Sequence, residues 1–165
     1  MIFINKLTRK VLLITLIFIL FFSFQIKSKE VVRLKEYENN NIERIFLIQN
    51  NEKPFSIVQK ISVKGYKDNI TMYLHTSVKE EKLTNINIVY QDETDHYGDY
   101  ISKKWFLDRF KGKNINVNLH LVKVSPKNTN DVVAVTGATI SSRAVLDGVN
   151  FGFDNHKRII ADLEK

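Results

Sequence analysis

The sequence predicts an α+β fold: a single domain with a mainly antiparallel sheet and flanking helices, preceded by one N-terminal transmembrane helix. Three observations carry the prediction. Apolar and polar residues alternate with period two in successive segments between Phe55 and Tyr90, the mark of half-buried strands. From about Ser141 the period changes to that of an amphipathic helix. Ahead of both, Val11 to Ile26 is a nearly unbroken apolar run behind a basic leader. Sequential strands with a charged connection favour antiparallel pairing, and the segments do not form the βαβ series of a Rossmann-type sheet. A chain of 165 residues has room for one domain and a short appendage.

Residues 1–27 contain Lys6, Arg9, Lys10 and Lys27 and no acid, so the formal charge of +7 for the chain falls to +3 for the remainder. As a helix, Val11 to Ile26 would be roughly 24 Å long at about 1.5 Å per residue, slightly short of a hydrocarbon core of roughly 30 Å, with Lys10 and Lys27 able to snorkel outward. No small-x-small cleavage site stands out between Ser23 and Lys29, which favours a retained anchor over a cleaved export signal. The basic leader puts the amino terminus inside and the domain on the extracytoplasmic side of a cell membrane crossed once. Residues 1–27 are therefore expected as anchor or signal, 28–54 as stalk and entry, and 55–165 as the domain.

Along the ectodomain, the charged segment from Lys27 to about Asn41 is expected as a stalk or short helix, and Arg44 to Gln49 as a short apolar segment. Asn50-Asn51-Glu52-Lys53-Pro54 has turn chemistry, Phe55 to Val63 is a strand, and Gly65 to Asn69 is a second turn. Met72, Leu74 and Thr76 alternate with Thr71, Tyr73 and His75; after Lys79 to Lys82 the next strand puts Ile86, Ile88 and Tyr90 on one face. Asp92 to Tyr100 is loop-like, and Ser102 to Phe110 is expected as a helix presenting Trp105, Phe106 and Phe110. Ile115, Val117, Leu119 and Leu121 alternate as a further strand, Pro126 to Asp131 is a loop, and Val132 to Val135 is a buried strand. On the last helix Val145, Val149, Phe153, His156, Ile160 and Leu163 lie near one face, with Gly148 and Gly152 weakening the middle.

Several chemistries are poorly supported. The absence of cysteine excludes a disulfide framework, thiolate metal sites and lipoprotein acylation, so any redox role needs an organic cofactor. Basic residues beyond the leader are interspersed with acids and form no stripe, which argues against a nucleic-acid partner. His75, His96, His120 and His156 have no partner at metal-ligand spacing. Thr136-Gly137-Ala138-Thr139 is not a nucleophile elbow, and the adjacent carboxylates Asp92 and Glu93 fit a solvated loop.

The junction from Asp131 to Val145 is the most informative stretch. Gly137 and Ala138 permit close approach to the backbone, Thr136, Thr139, Ser141 and Ser142 supply hydroxyls, and the following helix would aim free N–H groups at an anion such as phosphate. The alternative on these residues alone is that Ser141 or Ser142 simply N-caps a helix.

The ordered set Gly65-Tyr66, the strands to Tyr90, Glu93-Thr94, Gly98-Asp99, Trp105 to Lys113 and Thr136-Gly137-Ala138-Thr139 resembles the FMN-binding domain family. That family includes the G subunit of Rnf-type electron transport complexes and the C subunit of sodium-translocating NADH:quinone reductases. The likeness extends over about Lys60 to Asn150. It implies an FMN-binding-type domain in which FMN is joined through its phosphate to Thr139 by a dedicated flavin transferase. It also places Thr136, Gly137, Ala138, Ser141, Glu93, Thr94 and Gly98 about the cofactor. Two departures stand out. The family's E-T-P-G-L-G loop has Asp95, His96 and Tyr97 between Thr94 and Gly98 here, and Val133 occupies a position where an Asp is common. The resulting expectation is a membrane-anchored extracytoplasmic flavoprotein carrying electrons between redox partner proteins or subunits of one complex. Its rival is a flavin-free binding or assembly module of the same fold.

Overall fold

The computed structural model describes residues 29–165, so the expected anchor lies outside the described residues. No helix among the described residues is long and apolar enough to cross a membrane.

Five strands, β1 (Lys29–Arg33), β2 (Ile42–Asn50), β3 (Lys53–Lys64), β4 (Asn69–Ser77) and β5 (Lys82–Tyr90), form an antiparallel meander in sequence order. Asn51 and Glu52 take positive φ in the two-residue β2–β3 turn, as such hairpins demand. One face carries the core: Ile42, Ile45, Leu47, Ile57, Ile61, Ile70, Met72, Leu74, Leu83 and Ile86 are all buried. Two register shifts explain why some of these are three residues apart. An extra residue between Ile42 and Arg44 keeps Ile42 and Ile45 on one face, and another between Leu83 and Asn85 does the same for Leu83 and Ile86.

Beyond the meander lie a one-turn helix α1 (Lys104–Leu107), a parallel pair β6 (His120–Val122) and β7 (Asp131–Val133), and the 25-residue helix α2 (Thr139–Leu163). Helix α2 covers the core face through Val145, Val149, Phe153, His156 and Ile159. Gly148 and Gly152 are its points of closest approach. A Cβ on Gly148 would stand 2.9 Å from Met72 Cε, and one on Gly152 2.5 Å from Leu74 Cδ1. The glycines cost helix propensity of about 1 kcal/mol each, offset by packing that no larger residue permits. Polar groups in this seam are paired: Thr76 donates to the Ile57 carbonyl and lies 2.7 Å from His156 Nδ1, while Gln59 bonds the Gly152 carbonyl and Asn155. Burial pushes the His156 imidazole down to about 4.

Three expectations need correction. Residues 29–50 are strands of the main sheet with a 3-10 turn at Lys35–Tyr37, not a stalk or helix. The expected helix over Ser102 to Phe110 shrinks to α1, because the bonds after Leu107 are the tighter three-residue kind, Arg109 N to Phe106 O and Phe110 N to Leu107 O, while Phe106 and Phe110 still stack edge to face in the core. The strand over Ile115 to Leu121 survives only as β6. Ile115 and Leu119 are buried but Val117 between them is 45% exposed, whereas in a strand all three would share one face. The side-chain amide of Asn150 replaces a strand partner there, accepting from the Leu119 N–H and donating to its carbonyl.

Candidate functional site

The site forms where the β3–β4 turn, the β5–α1 loop and the start of α2 meet, and Glu93 organises it. The sequence suggested a solvated pair at Asp92 and Glu93. Asp92 fits, pairing with Lys67 at the surface, but Glu93 is 3% exposed. Its Oε2 accepts from Tyr66 N at 3.2 Å and Ser141 Oγ at 2.5 Å, and its Oε1 accepts from Lys67 N at 3.1 Å and Asp68 N at 3.4 Å. One carboxylate thus fastens three pieces of chain. Gly65 and Gly98 make the slot for it: a Cβ on Gly65 would lie 2.3 Å from Glu93 Oε1, and one on Gly98 2.7 Å from Glu93 Cβ.

The altered loop keeps its shape. His96, where the family pattern has its first glycine, takes φ 61, the left-handed conformation a glycine would hold without strain. Tyr97 is 56% exposed, and its ring lies over Gly137. A Cβ on Gly137 would stand 2.8 Å from Tyr97 Cδ1, and Gly137 itself has φ 80.

The approach to the Thr136–Thr139 turn is held by charged side chains acting on backbone groups. Arg109 donates to the Val133 carbonyl at 2.5 Å, with its guanidinium 4.8 Å from the Trp105 ring centroid. Lys113 donates to the carbonyls of Thr129 and Asp131, and burial draws its ammonium below the usual lysine range. The Asp131 carboxylate accepts from the amides of Asn128 and Lys127, which hold it below the usual carboxylate range. Val133 sits half-buried in β7.

The turn closes through Ala138 N to Val135 O at 3.0 Å, and α2 begins at Thr139. Neither serine is the N-cap. Ala138 holds that position with no side-chain cap; Ser142 Oγ accepts from Val135 N at 3.0 Å, and Ser141 is committed to Glu93. The first-turn amides of α2 are therefore left to an outside acceptor. A cleft of about 510 Å³ opens there, lined by Tyr66, Thr94, Tyr97, Gly98, Gly137, Ala138, Thr139, Ile140 and Ser141.

Six of the eight residues expected at the site line this cleft: Thr94, Gly98, Gly137, Ala138, Thr139 and Ser141. Glu93 lies behind its wall as the fastener, and Thr136 is exposed on the turn beside it. Tyr66, Tyr97 and Ile140 also line the cleft without having been expected there; their signals were the Gly65-Tyr66 pair, the altered loop and the helix start. These residues fit an organic phosphate: exposed Thr139, uncapped amides, a cleft of ligand size, and two tyrosine rings at its edge for a planar group. Among the described residues no cluster suited to a metal ion occurs.

Fold and site together define an α+β module with a cleft of ligand size at the uncapped start of its last helix. The chain belongs to the FMN-binding domain family, whose pattern it matches over residues 65–154. It is 34% identical over 104 residues to the G subunit of the proton-translocating ferredoxin:NAD(+) oxidoreductase complex of Clostridium ljungdahlii, covering 63% of this chain and 55% of that protein. It is 36% identical over 78 residues to the G subunit of the Na(+)-translocating ferredoxin:NAD(+) oxidoreductase complex of Acetobacterium woodii, covering 47% of this chain and 37% of that one. These matches span about a third to a half of the curated relatives' length. The fold is shared with NqrC of Shewanella oneidensis (TM-score 0.55, 24% identity, 67% of this chain and 54% of that one). It is shared also with the C subunit of the Na(+)-translocating NADH-quinone reductase of Parabacteroides distasonis (TM-score 0.57, 20% identity, 69% and 61%).

Proposed function

We propose that this protein is an electron-carrying flavoprotein, similar to the G subunit of Rnf-type complexes, with FMN attached through a phosphoester to Thr139. The observation that carries the reading is the exposed Thr139 at the first position of a helix with no side-chain cap, opening onto the cleft. Bound there, the isoalloxazine ring supplies one- or two-electron redox chemistry. The chain's own part is to place and enclose the ligand. The amides at the start of α2 stabilise the phosphodiester charge. Tyr66 and Tyr97 flank the ring's space, and Glu93 keeps the three loops in register.

Val11 to Ile26 holds the domain to the cell membrane on the extracytoplasmic side, and a covalent link suits a place where lost flavin is not replaced. The partners are a flavin transferase that installs FMN, and redox proteins or other subunits of an electron transport complex. Protein co-expressed with a flavin transferase gains the mass of FMN less one water, and Thr139→Ala abolishes the gain; covalent flavin retained in that variant overturns the assignment. The flavin-free alternative has one observation in its favour, Val133 where the family often has Asp. No labelling of the natural sequence under any condition, with Val133→Asp restoring it, would decide for that alternative.

A further inference from the structure

Charge is unevenly placed over the domain. Residues 99–130 carry seven basic side chains and two acidic ones, a net +5, whereas residues 29–98 and 131–165 together carry 14 basic and 16 acidic, a net −2. The basic excess of the described residues therefore lies in the segment that holds α1 and β6. In that segment the chain's one tryptophan faces outward: Trp105 is 48% exposed, although Phe106 beside it is fully buried. A single apolar residue at a surface is ordinary, but this one is held in place.

The Trp105 ring stands 6.5 Å from that of Tyr100 and 6.2 Å from that of Phe106, with the Arg109 guanidinium 4.8 Å from its centroid. Arg109 is itself tied to the Val133 carbonyl, and Phe106 and Phe110 pin the backbone beneath. A side chain so braced loses little further freedom when a partner covers it. Its indole N–H has no acceptor among the described residues, and Lys103 and Lys104 beside it are exposed. On the other flank of α1, Lys104 and Lys111 share the one carboxylate of Asp108, which leaves that flank positive.

We propose that the α1 surface centred on Trp105 is the docking site for a protein with an acidic face. The indole fills an apolar recess of the partner, and carboxylates around the recess meet Lys103, Lys104, Arg109 and Lys111. Tryptophan and arginine are the residue types that most often dominate interfaces, and clustered charge steers encounter and selects the partner. Charge also chooses between occupants: a second copy seated here would set one +5 segment against another. The surface adjoins the cleft. Gly98 in the cleft wall opens the 3-10 turn Gly98–Ser102 that leads into α1, and the carbonyl held by Arg109 lies just ahead of the Thr136–Thr139 turn. A partner on Trp105 thus stands beside the cleft; that it exchanges electrons there rests on the proposed flavin reading, whereas the docking does not.

To test the surface, the full chain carrying photoreactive p-benzoylphenylalanine in place of Lys103 is made in its native host, and the cells are broken at low salt and illuminated. Mass spectrometry should place the cross-link on one segment of another protein, with net negative charge around it. The yield should fall at least fivefold with Trp105→Ala, with Lys104→Glu, and on raising salt from about 0.05 to about 1 M, where charges act over only about 3 Å. The same photoreactive residue in place of Asp154, exposed on α2 outside the basic segment, should not give this product. Lys104 is exposed, so Lys104→Glu carries the test if Trp105→Ala does not fold by circular dichroism. No protein product at position 103, a product on lipid or on a second copy, or a yield unmoved by Lys104→Glu and by salt overturns the proposal. Flavin content, read separately by mass, reports on the cofactor reading whichever way the cross-linking falls.

Discussion

The meander over residues 29–90 and the segment over residues 91–138 flank the same helix but are held by different forces. The meander is stabilised by burial: alternate residues of four strands fill one face against α2, and most of the buried polar groups there belong to a few paired side chains. The later segment has only β6, β7 and a one-turn helix, and charged side chains stand in for missing ladder partners. Glu93 receives three backbone amides, Asp131 two, Arg109 and Lys113 hold carbonyls, and Asn150 satisfies Leu119. The contrast shows a division of labour. A ligand cleft needs irregular backbone, and irregular backbone must have its polar groups satisfied individually.

The largest test of that division is Glu93→Ala. It strands amides of the β3–β4 turn and the hydroxyl of Ser141 together, and unfolding free energy from urea melts should fall by about 4 kcal/mol. Flavin incorporation should be lost at temperatures where far-ultraviolet circular dichroism still reports a folded sheet. Simultaneous loss of sheet and site would show that the two regions do not differ as argued.

The seam under the sheet gives the counterpart. The folded imidazole of His156 titrates at about 4, below the ordinary value of about 6.5, so between these values the unfolded chain binds the proton and the folded chain does not. The His156 contribution is complete above about pH 6.5 and is lost as pH falls towards 4, about 3 kcal/mol in all. His156→Gln should flatten that part of the stability profile while leaving flavin attachment at pH 7 intact; an unchanged pH dependence would count against a buried neutral imidazole.

Arg109→Leu releases the Val133 carbonyl and should cost about 2 kcal/mol, with the rate of flavin transfer to Thr139 falling more than stability accounts for. The smallest effect is a gain. His96→Gly removes left-handed strain and should raise stability by about 0.5 kcal/mol, with a flavin yield equal to or better than the natural sequence. A loss in both would show that the imidazole itself supports the loop.

The sequence was most readable where burial alone decides structure. β3, β4, β5, their turns and the last helix follow from periodicity, as do the small residues at the α2 start. Strand β1 was hidden because it is an edge: its exposed Lys29, Glu30 and Arg33 are the charges that keep edges from pairing elsewhere, and they read as a solvated stalk. In β2 the bulge beside Ile42 broke the alternation. Ile115 to Leu119 failed for the opposite reason, an alternation ahead of β6 with no neighbouring strand along it. At the site, the small-residue motif was legible but the burial of Glu93 was not, since nothing local distinguishes a carboxylate that binds four donors from one in water. Gly65 and Gly98, the walls of its slot, were the available sign.

The bare start of α2 has one more consequence on the proposed reading. Helices lacking a side-chain cap are less stable by about 1 kcal/mol, and a phosphate on Thr139 would complete this one. A reversible ligand gives such help only in proportion to its concentration. Joined to the chain, it becomes a permanent part of the helix at any dilution, so a domain still awaiting its flavin differs from a finished one in the firmness of its last helix. Proteases that sample frayed ends could then sort immature copies from mature ones without sensing colour or charge.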